Sequence, residues 1–149
     1  MNAFTTTLAC LLGLVGLVQS QGFLGNCTWQ SANLTGSLLG MYCNDDDWAN
    51  YGYQWTWLEL NPCFGNNGGN LIPYDNGNFT TSCNTLNFTA SNTSFALTAM
   101  CSGPTDHFVP AMAELNTVLW NHNGTLGCFE HHGNATECGP QCDPDFVQK

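Results

Sequence analysis

The sequence predicts a mainly β domain built from two tandem repeats in pseudo-twofold relation, tied by disulfides and interrupted only by short helical turns. Three observations carry this. The series Phe23-x-x-x-Cys27, Cys43, Glu59-Leu60-Asn61 and Gly69-x-Leu71 returns about 55 residues later as Phe79-x-x-x-Cys83, Cys101, Glu114-Leu115-Asn116 and Gly124-x-Leu126. So many residue types kept twice in one order mark a duplicated unit. Gly and Asn clusters fall roughly every 8 to 12 residues between runs rich in Thr, Val and aromatics, and no segment sustains a helical period.

Residues 1–20 read as a removable signal peptide, because Leu8 to Val18 is an apolar run too short to span a bilayer and Val18 and Ser20 suit a small-residue cleavage site. A secreted, extracellular chain starting near Gln21 is expected. About 129 residues then remain, enough for one compact domain. The repeats are expected over about 22–74 and 78–129.

In each repeat a first strand is expected at Leu38 to Tyr42 or at Phe95 to Met100, and a second at Tyr53 to Leu60 or at Phe108 to Leu115. Asn61 and Asn116 are expected as N-caps of short helical turns, with Pro62 at a first helical position where its missing N–H costs nothing. Asn67-Gly68-Gly69 and Asn123-Gly124 supply the positive φ of tight hairpins. Residues 130–149 read as a Cys-containing extension, irregular from Gly133 onward.

Nine cysteines include Cys10 in the leader, leaving eight, an even number that suits an oxidising compartment. Eleven carboxylates face one cation, Lys149, and no Arg. Nucleic-acid binding and membrane insertion are therefore disfavoured, and a neutral, hydroxyl-rich partner fits better. Asn26, Asn33, Asn78, Asn87, Asn92, Asn123 and Asn134 each begin an Asn-x-Ser/Thr glycosylation acceptor.

With these residues laid out, the chain resembles the cyanovirin-N family of sugar-binding proteins from about Phe23 to Phe129. That family pairs cysteines about 15 residues apart within each repeat and closes each repeat with an Asn-x-Asp-Gly-x-Leu turn. In this chain the second Cys loop is two residues longer than the first, and Gly68 and Asn123 replace the Asp of the turn. The resemblance implies Cys27 with Cys43 and Cys83 with Cys101, each loop worth about 3 kcal/mol on the chain-entropy model. The pairing of Cys63, Cys128, Cys138 and Cys142 stays open among three connectivities, one of which joins Cys63 to Cys128.

The resemblance also implies two clefts and no enzyme activity. One cleft would use Gly25, Asn26, Asn44, Asp45 and Asp46 with Asn121, His122 and Asn123. The other would use Asn78, Thr81, Ser82, Ser102, Gly103, Thr105 and Asp106 with Asn66 and Gly68. The implied function is a secreted non-catalytic lectin for mannose-type oligosaccharides, with oligosaccharides or glycoproteins as partners and no cofactor or metal. The alternative is a secreted structural or protein-interaction module that keeps the fold without binding sugar. Asn26, Asn78 and Asn123 are both proposed contacts and glycan acceptors, so an attached glycan there would block its own cleft.

Weaker constellations have plainer explanations. Asp45-Asp46-Asp47 lacks the spacing of a hard-cation loop, and His107, His122, His131 and His132 lack thiolate partners for zinc. Glu59 and Glu114 could be imagined as a glycosidase pair, yet a repeated structural position accounts for both. Tryptophans in strands are expected to fill the core, with Trp48 in the loop after Cys43 the better sugar platform.

Overall fold

The computed structural model describes residues 22–47, 49, 52–105 and 107–136. The proposed leader, Trp48, Asp106, Cys138 and Cys142 lie outside the described residues. The first repeat contributes β1 (Asn33–Thr35), β2 (Leu38–Asn44) and β3 (Tyr53–Glu59), then a hairpin of β4 (Phe64–Asn67) and β5 (Asn70–Pro73). The second contributes β6 (Cys83–Ala90), β7 (Phe95–Ser102) and β8 (Phe108–Glu114), then a hairpin of β9 (Leu119–His122) and β10 (Thr125–Cys128). Two short strands follow, β11 (His131–His132) and β12 (Asn134–Thr136).

All pairings are antiparallel. β1, β2, β3 and β12 form one sheet in that order, and β6, β7 and β8 form another. The expected strands therefore appear, and the expected irregular tail is corrected over its described part. β11 pairs with β10, and β12 adds to the free edge of β3 with Ala135 opposite Thr56. An open edge of backbone N–H and C=O groups favours such strand addition, which alternation in so short a segment does not announce. The extra length of the second Cys loop is absorbed partly by a register shift between Asn84 and Asn87, with Thr85 at φ 53°.

Each hairpin packs against the sheet of the other repeat, β10 beside β3 and β5 beside β8. A single core results, because a sheet with one apolar face must bury that face against another element. Phe23 and Phe79, which open the two cassettes, are both fully buried. Phe23 meets Phe95 edge-on at 5.5 Å between centroids, and Phe79 meets Phe64 edge-on at 6.2 Å. Leu39, Leu58, Leu60, Leu97, Leu115 and Leu126 are among the residues that share this core, with Met41 and Leu119. Among the strand tryptophans, Trp55 is buried between Tyr42 and Trp57, whereas Trp57 remains half-buried on the outer face of the first sheet.

Disulfides join Cys27 to Cys43 and Cys83 to Cys101 within the repeats, and Cys63 to Cys128 between them. Both hairpin turns use positive φ, at Gly68 and Gly69 and at Asn123 and Gly124. The helical turns are single 3-10 turns, and the expected Asn caps are corrected. Glu59 Oε1 accepts the Asn61 N–H at 3.0 Å, and Glu114 Oε1 accepts the Asn116 N–H at 3.3 Å. The asparagines reach instead across the molecule: Asn61 Oδ1 accepts the Thr80 N–H, and Asn116 Oδ1 accepts the Leu24 N–H, both at 3.1 Å. A carboxylate two residues upstream wins the local amides, freeing the Asn side chain to anchor the turn that opens the other cassette. Among the described residues no helix is long and apolar enough to cross a membrane.

Two outcomes follow from these ties. Replacing Cys63 and Cys128 together by Ala is expected to cost about 4 kcal/mol, because the bridge closes a loop with a sequence separation of 65. Denaturant unfolding measures it, and a cost under about 1 kcal/mol would reject the between-repeat tie. Burial raises the Glu114 carboxyl, yet bonds from the Ser94 hydroxyl and from the Phe95 and Asn116 amides outweigh it and hold the pKa below its ordinary value. A folded-state value below the unfolded one gives stability that is complete above the unfolded carboxyl range of ~4.3 and is lost as pH falls through the folded value. Thermal melts in acid are therefore expected to decline less steeply for Glu114→Gln than for the unaltered chain.

Candidate functional site

Part of each group of loop residues meets where a hairpin of one repeat joins the other: Asn26, Asn44, Asp46, Asn121 and Asn123 at one place, and Asn66, Ser82 and Ser102 at the equivalent one. In the first cleft Asn26 ends the turn over Phe23–Gly25, and its carbonyl accepts the Asn44 N–H at 2.8 Å. Asn121 on β9 donates from Nδ2 to the Asn44 carbonyl at 2.9 Å. In the second cleft the Ser82 carbonyl accepts the Ser102 N–H at 2.8 Å, and Asn66 on β4 donates from Nδ2 to the Ser102 carbonyl at 2.9 Å. The bonds correspond one for one. An amide suits this position because one Nδ2 binds a carbonyl across the joint while Oδ1 remains for another donor.

The clefts differ in what surrounds that joint. Asn44 Oδ1 accepts the Asp46 N–H at 2.8 Å, a local turn that supports Asp46 at φ 60°. Asp46 Oδ2 then accepts the Asn123 N–H at 2.7 Å, and Gln54 Nε2 donates to the Asn123 carbonyl at 2.7 Å. The hairpin tip is held at both backbone groups. Asp45 turns away to accept the amides of Asp47 and Gly52 at 3.1 and 3.2 Å. Asp45 is thus a loop brace, while Asp46 and Asn123 present their remaining polar atoms at an exposed joint. His122 lies exposed on the same hairpin, and Gly25 is exposed within its turn.

In the second cleft Asn66 is fully engaged. Its Nδ2 also donates to Ser82 Oγ at 3.0 Å, and its Oδ1 accepts the Gly69 N–H at 2.7 Å. By contrast Asn121 Oδ1 is buried with no hydrogen-bond partner among the described residues. Gly69 permits the close approach of this hairpin, since a Cβ there would lie 2.5 Å from Val109 Cγ2 and 3.2 Å from Gly103 Cα. Gly68 faces Pro104, and the Gly103 N–H donates to the His107 carbonyl at 2.9 Å, closing the loop that carries Thr105. Thr81 Oγ1 donates to the Asn78 carbonyl at 2.9 Å. Asn78 Oδ1 accepts from Asn61 Nδ2 at 2.9 Å, so its side chain is tied to the 3-10 turn before β4 and not to the joint of Asn66, Ser82 and Ser102.

Sequence reasoning missed Gln54, which holds the first hairpin tip, and Val109, which seats the second. Both lie on strands, where alternation reports a face but not which distant turn that face meets. Among the described residues no cluster of His, Cys, Asp and Glu could hold a metal ion.

The CVNH domain, the cyanovirin-N homology family, matches residues 23–127. No curated protein matches the chain. Among solved structures, a MoCVNH3 variant in complex with (N-GlcNAc)4 superposes with a TM-score of 0.62 at 16% identity, over 72% of this chain and 96% of that one. Microvirin in a mannobiose complex gives 0.58 at 20% identity, over 72% and 98%. The CVNH protein of Gibberella zeae gives 0.53 at 22% identity, over 66% and 94%. At these identities the likeness concerns the fold alone, which in this chain is a mainly β, disulfide-bonded architecture of two repeats. The family match spans most of the sequence, and the chain belongs to the CVNH domain family.

Proposed function

We propose that this chain is a secreted, non-catalytic lectin whose two clefts bind neutral oligosaccharides, mannose-type chains first among them. The observation that carries the reading is the matched pair of joints where a hairpin of one repeat meets the loop after the second Cys of the other, with amide, carboxylate and backbone groups around the first and hydroxyl and backbone groups around the second. Such groups recognise sugar hydroxyls by dense hydrogen bonding. Carbohydrate binding is further supported by the two family neighbours whose complexes hold mannobiose and an N-acetylglucosamine tetramer. The deficit of cations, one Lys or Arg against eleven carboxylates, suits an uncharged ligand.

The first cleft is the stronger candidate. Asp46 leaves one carboxylate oxygen beyond its bond to Asn123, and charged acceptors make the stronger hydrogen bonds to hydroxyls. The acceptor sequons at Asn26 and Asn123 favour the rival reading, a structural or protein-interaction module, wherever a glycan fills this cleft.

Calorimetry on enzymatically deglycosylated protein against an oligomannose ligand separates the two. Heat of binding is expected, and Asp46→Ala is expected to weaken one class of site by up to about tenfold while the second class stays unchanged. Asn66→Ala is expected to do the reverse. No heat with oligomannose or with a chito-oligosaccharide would reject the lectin and leave the interaction module. Because the contacts offered are neutral donors and one carboxylate, EDTA is expected to leave the heat unaltered. Loss in EDTA restored by calcium would give Asp45, Asp46 and Asp47 a cation.

A further inference from the structure

We propose that the outer face of the first sheet is a docking surface for the chain's own N-linked glycan, attached at Asn134 and lying against the indole of Trp57. This rests on the secretory passage inferred above and not on sugar binding in the clefts. Asn33, Gly40, Trp57 and Asn134 form one cross-strand row through β1, β2, β3 and β12. Directly opposed residues point to the same side with Cβ atoms about 4.5–5.5 Å apart, so Asn134 stands immediately beside Trp57. Gly40 makes room for the ring, since a Cβ there would come within 2.6 Å of Trp57 Cε3 and Cζ3.

With the indole tilted over Gly40, a groove of about 530 Å³ opens between Thr35, Leu38, Trp57, Glu59, His132 and Asn134. That volume is in the range of small-ligand sites. Its apolar floor and its rim of carboxylate, imidazole, amide and hydroxyl complement a pyranose, which has an apolar face and a polar edge. The acceptors supply the occupant. Asn134 begins Asn-Ala-Thr and Asn33 begins Asn-Leu-Thr, both are exposed, and they sit on the two edge strands of the sheet. Asn87, which begins Asn-Phe-Thr, holds the position equivalent to Asn33: it opposes Thr98, which opposes Met112 where the first sheet has Trp57. Acceptors thus recur on outward-facing edge positions, where a glycan also blocks strand-to-strand association.

Attachment forms a bond from Asn134 Nδ2 to C1 of the reducing-end N-acetylglucosamine of a polyprenyl-pyrophosphate oligosaccharide. Nδ2 loses a proton and polyprenyl pyrophosphate leaves. Before β12 pairs, the acceptor is reachable in the extended chain. Once it pairs, the first sugar is carried onto Trp57.

The test uses the full chain, with its own first 20 residues, secreted from a host that performs N-glycosylation. Peptide mapping after glycan release in heavy-oxygen water is expected to show Asn134 occupied; an unmodified Asn134 in the secreted protein overturns the proposal. In the folded glycoprotein carrying ¹³C-labelled N-acetyl groups, one acetyl methyl is expected to shift upfield and to show a nuclear Overhauser contact with the Trp57 ring. Trp57→Leu is expected to abolish that shift. Because Trp57→Leu could unfold the sheet, Asn134→Gln provides the second arm: it is expected to remove the same signal with Trp57 intact, while Asn33→Gln leaves it. An occupied Asn134 whose methyl resonates as in the denatured glycoprotein overturns the docking. A free N-acetylglucosamine disaccharide that contacts Trp57 of the unglycosylated chain with a Kd tighter than about 1 mM would also overturn it, by assigning the groove to a diffusible sugar. The oligomannose heat at the clefts is scored separately, so either reading can fail alone.

Discussion

Every feature of this molecule depends on the exchange of hairpins between the repeats. Neither repeat's sheet can bury its apolar face unaided, and the hairpin that follows β3 or β8 in sequence covers the sheet of the other repeat instead. The contact is fastened at its outer end by one amide to one carbonyl, Asn121 to Asn44 and Asn66 to Ser102. At its inner end it is fastened by Cys63 and Cys128, which lie beside the starts and ends of the exchanged segments. A partly buried carbonyl left without that donor would lose hydration with no bond in return, so the Asn at each joint is both a seal and a register pin. Because the joints are also where polar loops converge at the surface, the device that closes the core is the device that brings the candidate site residues together.

Duplication provides the frame twice, and local chemistry then makes the copies unequal. The Gly68-Gly69 tip approaches Gly103 and Val109 closely because it lacks side chains, and Asn66 uses all its polar capacity within the protein. The Asn123-Gly124 tip is clamped by Asp46 and Gln54; among the described residues Asn121 Oδ1 has no partner, and Asp46 keeps a second carboxylate oxygen beyond its bond to Asn123. Fully satisfied amides make a rigid joint, and an acceptor left over makes one that gains from a further donor. The outer faces diverge as well: β12 and Trp57 build a groove on the first sheet, while the second ends at β8 with Met112 67% exposed.

Much of this was legible in the residues alone. The paired cassettes, the positive-φ turns at Gly68, Gly69, Asn123 and Gly124, and the strands after each first Cys follow from local rules that hold wherever the chain goes. Phe23 and Phe79 open the two cassettes, and the structure buries both fully. The caps misled because Glu and Asn in Glu-Leu-Asn compete for the same amide. Spacing does not say that Glu59 and Glu114 win it while Asn61 and Asn116 reach to Thr80 and Leu24. Asn78 shares a loop with the second cleft in sequence, yet its side chain is bonded to Asn61.

The sequence by itself determined a duplicated, disulfide-bonded β chain with two sets of polar loops, since repeats, turns and periodicity are written in neighbouring residues. The tertiary structure decided which hairpin covers which sheet, which Asn spans which joint, that Gln54 and Val109 seat the tips, and that β12 extends the first sheet past Trp57. Those outcomes depend on contacts between segments far apart in the chain, whose strengths are set by shape and burial that no local pattern encodes.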